Sequence, residues 1–202
     1  MKHPFTLLLF LLALGTTAVG QTASQSTQYY LGYYGQFGIT PGARVGADIP
    51  LKSWEKENSK GTTRYSSLVV SPSLGYFSNR NNHNSLLGNV ELGLKTQRQD
   101  SPWWSMVSLG SGYLARYQVT ANTVNLQGEI TGREHERIDY LMPSLNFAVG
   151  HAFSNKLGGY AKLGLGTRRL LQSNSTNPSN SAMYMLELGI RFSPSGSAPA
   201  TK

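Results

Sequence analysis

The chain has 202 residues, 22 glycines, no cysteine, 39% hydrophobic residues and a formal charge of +8. The missing cysteine rules out disulfides, thiolate metal sites and a lipidated cysteine anchor. The basic balance comes without a basic helix, an RNA-binding aromatic motif or a Gly-rich phosphate loop, so anionic lipid headgroups are the expected counterpart rather than nucleic acid, and no cofactor is expected.

Residues 1–20 read as a signal peptide: Lys2 and His3 form a basic start, 5–14 an apolar run, and Ala18-Val19-Gly20 a small-residue cleavage site. Removing it takes one positive charge with Lys2 and leaves +7. No later segment approaches the roughly 20 apolar residues of a spanning helix. Segment 21–28 is expected to be periplasmic, 29–192 to form the folded domain, and 193–202 to be a disordered tail.

Within 29–192 the pattern repeats every second residue, as a strand exposing two unlike faces requires. Ile39, Pro41, Ala43, Val45, Ala47 and Ile49 oppose Thr40, Gly42, Arg44, Gly46 and Asp48. Leu68, Val70, Pro72, Leu74 and Tyr76 oppose Ser67, Val69, Ser71, Ser73 and Gly75. Leu86, Val90, Leu92 and Leu94 oppose Asn89, Glu91, Gly93 and Lys95. Val107, Leu109, Tyr113, Ala115 and Tyr117 oppose Ser108, Gly110, Gly112 and Arg116.

A faint fifth strand is expected at 123–131. Leu141, Leu145, Phe147 and Val149 then oppose Ser144, Asn146 and Gly150, and Ala161, Leu163, Leu165 and Thr167 oppose Lys162, Gly164, Gly166 and Arg168. In the last strand Tyr184, Leu186, Leu188, Ile190 and Phe192 alternate with Met183, Met185, Glu187, Gly189 and Arg191. The expected fold is an all-β, antiparallel transmembrane barrel of eight strands, the sheet that leaves no backbone unpaired in a bilayer.

With both termini periplasmic, 52–62, 132–137 and 172–180 become outer loops, 78–84 and 154–156 periplasmic turns. Trp103 and Trp104 then sit at the outer headgroups. Residues 29–36 continue the parity of the first strand, which is either one long strand or a hairpin broken at Thr40-Pro41-Gly42. If that hairpin replaces the faint fifth strand, the count stays at eight and the loop sides invert between the first and fifth strands. Pro41, Pro72 and Pro143 interrupt strands without an evident reason.

The runs Pro41-Gly42-Ala43-Arg44-Val45-Gly46-Ala47-Asp48-Ile49-Pro50-Leu51, Pro72-Ser73-Leu74-Gly75-Tyr76, Asn82-His83, Asn89-Val90-Glu91-Leu92-Gly93, Met142-Pro143-Ser144-Leu145 and Leu186-Glu187-Leu188-Gly189-Ile190-Arg191-Phe192 span nearly all of the mature chain. Together they resemble a group of small outer-membrane β-barrel proteins from Bacteroidetes-type bacteria. No activity is assigned to that group, so the resemblance implies a Gram-negative outer-membrane location and the fold. Phe192 resembles the terminal aromatic read by barrel-assembly machinery, although here a tail follows it.

The inner face collects Arg44, Lys95, Arg116, Lys162, Arg168 and Arg191 against Asp48, Glu91 and Glu187, expected as a salt-bridged plug rather than a selective pore. His83-Asn84-Ser85 with Glu91 is the one nucleophile-like set, and His-x-Ser also occurs in outer-membrane lipid A deacylases. Strand parity turns Ser85 and Glu91 inward, whereas those enzymes use the lipid-facing wall. Segment 132–137, with Glu134, His135 and Glu136, is read as a solvated loop rather than a metal site. Arg169, outward at the end of its strand, is a candidate for lipopolysaccharide phosphate. The expected function is a monomeric structural or surface-interaction protein. The alternatives are a lipid A deacylase-like hydrolase using His83, Ser85 and Glu91, or a soluble barrel carrying a lipophilic ligand, which needs the parity reversed.

Overall fold

The computed structural model describes residues 26–36, 41–57, 61–79, 83–124, 130–171 and 181–194. The segment read as a signal peptide, most of 21–28, most of 193–202 and all of 172–180 lie outside these residues, as do the side chains of Glu134 and His135. Eight strands follow one another in chain order: β1 Gln28–Gln36, β2 Gly42–Glu57, β3 Thr63–Asn79, β4 His83–Arg98, β5 Trp103–Val124, β6 Ile130–Ala152, β7 Leu157–Leu170 and β8 Ser181–Phe192. Each pairs antiparallel with its neighbour, and β1 pairs with β8 from Tyr29↔Phe192 to Gln36↔Met185, closing the barrel.

The hairpin alternative is the one realised. Residues 28–36 form a separate strand, because Pro41 has no N–H to donate and Thr40-Pro41-Gly42 carries turn chemistry. The strand expected at 123–131 does not exist as such. Its ends belong to the long β5 and β6, of 22 and 23 residues, and Val124 pairs with Ile130 beside the connection. Consequently the directions of the intervening strands invert. Residues 52–57 lie within β2 and 132–137 within β6. The 58–62 and 99–102 connections share an end with the termini and 153–156, whereas 80–82 lies at the opposite end with 37–41, 125–129 and 171–180.

Two of the puzzling prolines sit where the ladder lapses on one side. Between Gly46↔Ser73 and Ile49↔Val70 no pair forms opposite Pro72, and between Leu141↔Arg169 and Ser144↔Gly166 none forms opposite Pro143. On their other sides Pro72 still pairs with Val90 and Pro143 with Ser111. A residue without an N–H is tolerated because only one ladder loses its bond.

The alternation reads directly as inside and outside. Leu31, Val45, Leu74, Leu92, Leu109, Phe147, Leu163 and Leu188 are among the exposed apolar residues, while Arg44, Asp48, Glu91, Lys162, Glu187 and Arg191 are buried in the lumen. Inner glycines make room for large rings. A Cβ on Gly150 would run into the Trp104 ring and come within 2.6 Å of the Gly159 carbonyl oxygen, and one on Gly189 would lie 2.7 Å from Tyr160 Cε1.

Gly150→Ala should therefore cost about 1–3 kcal/mol through overpacking. Gly88→Ala adds a methyl that would meet Leu74 Cδ2 at an ordinary 3.7 Å and should leave stability unchanged or raised. Urea unfolding of the refolded variants tests the contrast, and equal losses would contradict it.

Candidate functional site

The lumen is filled in four tiers. At mid-height, Arg44 from β2 crosses to Glu91 on β4 (Nη2 to Oε1, 2.6 Å) and to Glu187 on β8 (Nη1 to Oε2, 2.8 Å). Lys162 from β7 donates to the same Glu91 oxygen at 2.6 Å and lies 4.0 Å from Glu187 Oε2. Ser108 donates to Glu91 Oε2 at 2.7 Å and Asn89 to Oε1 at 3.0 Å, while Ser73 accepts from Arg44 and the Tyr160 hydroxyl donates to Glu187. Two cations and two carboxylates thus neutralise one another, with small polar groups taking the remaining hydrogen-bonding positions. That is the condition under which buried charge is tolerable.

Toward the end without the termini, an apolar tier of Tyr34, Phe77, Leu87, Leu114, Met142, Met183 and Met185 fills the bore. The Tyr34 hydroxyl points at the Met185 sulfur. Beyond it, Arg116 contacts His83 Nδ1 at 3.0 Å, and Arg168 donates to Ser181 at 3.1 Å and stacks at 5.8 Å over Tyr140. At the terminal end, Asp48 accepts from Ser71 at 2.6 Å and meets Arg191 Nη1 at 2.5 Å as a charge contact outside hydrogen-bond angles. Arg191 is enclosed by aromatic faces, with Trp104 at 3.9 Å and Tyr160 at 5.0 Å.

All nine inner charges named from the alternation point into the lumen, but they form separate groups along the bore rather than one cluster. His83, Ser85 and Glu91 do not converge. Ser85 is buried six residues from Glu91 on the same strand, a span of about 20 Å, and Glu91 is already held by Arg44 and Lys162. Ser85 Oγ has no hydrogen-bond partner among the described residues. Among the described residues no group of three metal-ligating side chains comes together.

Trp103 and Trp104 share the terminal end, because β5 begins there once 28–36 supplies β1. Trp103 is exposed and packs edge-on to His151 with ring centres 4.8 Å apart. Trp104 is 6% exposed and faces the lumen, since adjacent strand residues point to opposite sides, so it cannot sit among headgroups. Arg169 is exposed on the outer wall near the opposite end, paired in register with Leu141. No protein-family model matches this chain, nor does any curated protein. The closed eight-stranded barrel is compatible with an outer-membrane protein, and functional inference rests on its two faces.

The soluble lipophilic carrier needed the parity reversed, with apolar residues inside; here most of the apolar side chains face out and the charges face in. The aromatic and methionine filling went unnoticed in the sequence, although Tyr30, Tyr34, Trp104, Tyr160, Met183 and Met185 share parity with the inner glycines and charges. Register with those glycines is the signal that could have found the rings: Tyr30 pairs with Gly46, and Trp104 with Gly150.

Removing one partner from the central set leaves a buried charge uncompensated. Glu91→Gln should cost on the order of 3–5 kcal/mol, and adding Lys162→Met should recover part of it. A reversible unfolding titration in which the double variant is no more stable than the single would contradict this coupling.

Proposed function

We propose that the chain is a monomeric outer-membrane β-barrel protein of a Gram-negative cell, with a structural or surface-interaction role and no enzymatic one. The observation carrying this reading is the apolar outer wall, bounded by aromatic residues toward both ends. Trp103, Phe153, Tyr29 and Phe192 lie toward the terminal end, and Tyr76, Tyr113, Tyr117 and Tyr184 toward the other. Such girdles match the two bilayer interfaces, and water offers no reason to expose so much apolar surface. The proposal includes export by the N-terminal signal and insertion by barrel-assembly machinery. It also adopts the kinship with the Bacteroidetes-type barrels that the motifs resemble.

With the termini in the periplasm, the barrel end at which β5 finishes, β6 begins and β7 finishes faces outside. Arg169 then meets the outer leaflet, where its planar guanidinium suits a lipopolysaccharide phosphate, while Arg168 is engaged with Ser181. An interior filled by these tiers of side chains leaves little bore for ions.

Outer membranes extracted with detergent should yield a band whose gel migration shifts on heating, and a heat-insensitive water-soluble band would refute the membrane reading. Leu188→Arg, on the exposed wall, should cost on the order of 2–4 kcal/mol near the bilayer midplane, checked by unfolding in lipid vesicles against the polar exposed site Lys56→Arg, which should cost little. Planar-bilayer recordings should show no large, steady channel. Lipopolysaccharide retained after mild extraction should fall for Arg169→Ala and not for Arg168→Ala.

A further inference from the structure

At the terminal mouth of the barrel a pocket of about 400 Å³ opens beneath Trp104, walled by the 99–102 and 153–156 turns. Its floor carries two cations that are more than nine-tenths buried: Lys95 from β4 (8% exposed) and Arg191 from β8 (5%). Lys95 Nζ donates to Gln28 Oε1 at 2.6 Å and lies 4.8 Å from the Trp104 ring, but forms no ion pair among the described residues. Arg191 Nε has no hydrogen-bond partner among the described residues, and the one acid beside the pair, Asp48, is shared between Arg191 and Ser71. Asp100 at the rim is paired with Arg98 at 2.9 Å and neutralises neither. The floor therefore sets two basic side chains against the single carboxylate of Asp48, with Lys156 at the rim.

From this geometry we infer a binding site for a small organic carboxylate, its anionic end between Lys95 and Arg191 and its body against Pro102, Ala152 and the Trp104 ring. Two basic groups converging beside one carboxylate suit a carboxylate-bearing monoanion. A volume of this size suits an organic molecule of modest size, and the apolar wall distinguishes such a ligand from inorganic phosphate. Buried donors already fixed by aromatic faces lose little freedom on binding, which favours recognition of the charged end.

The test is calorimetric titration of the refolded full chain with benzoate, its neutral isostere benzamide, and inorganic phosphate. Benzoate should saturate one site per chain, while benzamide and phosphate should bind at least tenfold more weakly. Lys95→Met should weaken benzoate at least tenfold, and Asp48→Asn, which removes the internal competitor, should tighten it several-fold. Benzamide or phosphate binding as well as benzoate, or unchanged affinity in Lys95→Met, would overturn the site. Should either variant fail to fold, the three ligands on the wild-type chain decide the matter.

Discussion

Closure of the sheet is the constraint from which the rest follows. Once β1 pairs with β8, every strand has two neighbours, and alternate side chains are committed to a bore only wide enough for side chains. Any inward charge must then find its partner across that bore. Arg44 does so twice, reaching strands that lie on opposite sides of it in the barrel order. The glycines belong to the same constraint, because a bore of this width accepts the rings of Tyr30, Trp104 and Tyr160 only where the residue paired beside each on the adjoining strand lacks a side chain.

Charge and apolarity divide the lumen along its length. The central set of Arg44, Lys162, Glu91 and Glu187 is balanced, and the Tyr34–Met185 tier above it contains no charge. Both mouths carry the excess: Lys95 and Arg191 against Asp48 at one, Arg116 and Arg168 at the other. The surplus of positive charge thus lies at the two mouths rather than at mid-height, as the cost of burying an unpaired ion would require.

The last strand was legible because nothing in it breaks the two-residue period, and the inner charges were legible for the same reason. Trp103 and Trp104 show where hydrophobicity misled. Parity counted back from Val107 and Ser108 puts one ring outside and the other inside, but two adjacent large aromatics read as one interfacial pair. The start of the barrel was ambiguous since 29–36 and 42–49 share parity across a turn, so alternation alone could not show that the chain reverses. Segment 123–131 looked faint because its described ends, Val124 and Ile130, finish the long β5 and begin the long β6 rather than forming a strand of their own. Cross-bore partners were beyond reach, being set by the register of strands far apart in sequence.

Because β8 is the last strand of the chain, its placement has an energetic consequence for how the barrel reaches its final form. Glu187 and Arg191 both travel on it. Until it docks, Arg44 and Lys162 must share Glu91 alone, and Asp48 lacks its guanidinium. An open seven-strand sheet is therefore electrostatically frustrated as well as unpaired at two edges. Seating β8 relieves both defects in one step, so the charge network acts as a latch that makes closure more nearly all-or-none than backbone pairing alone would make it.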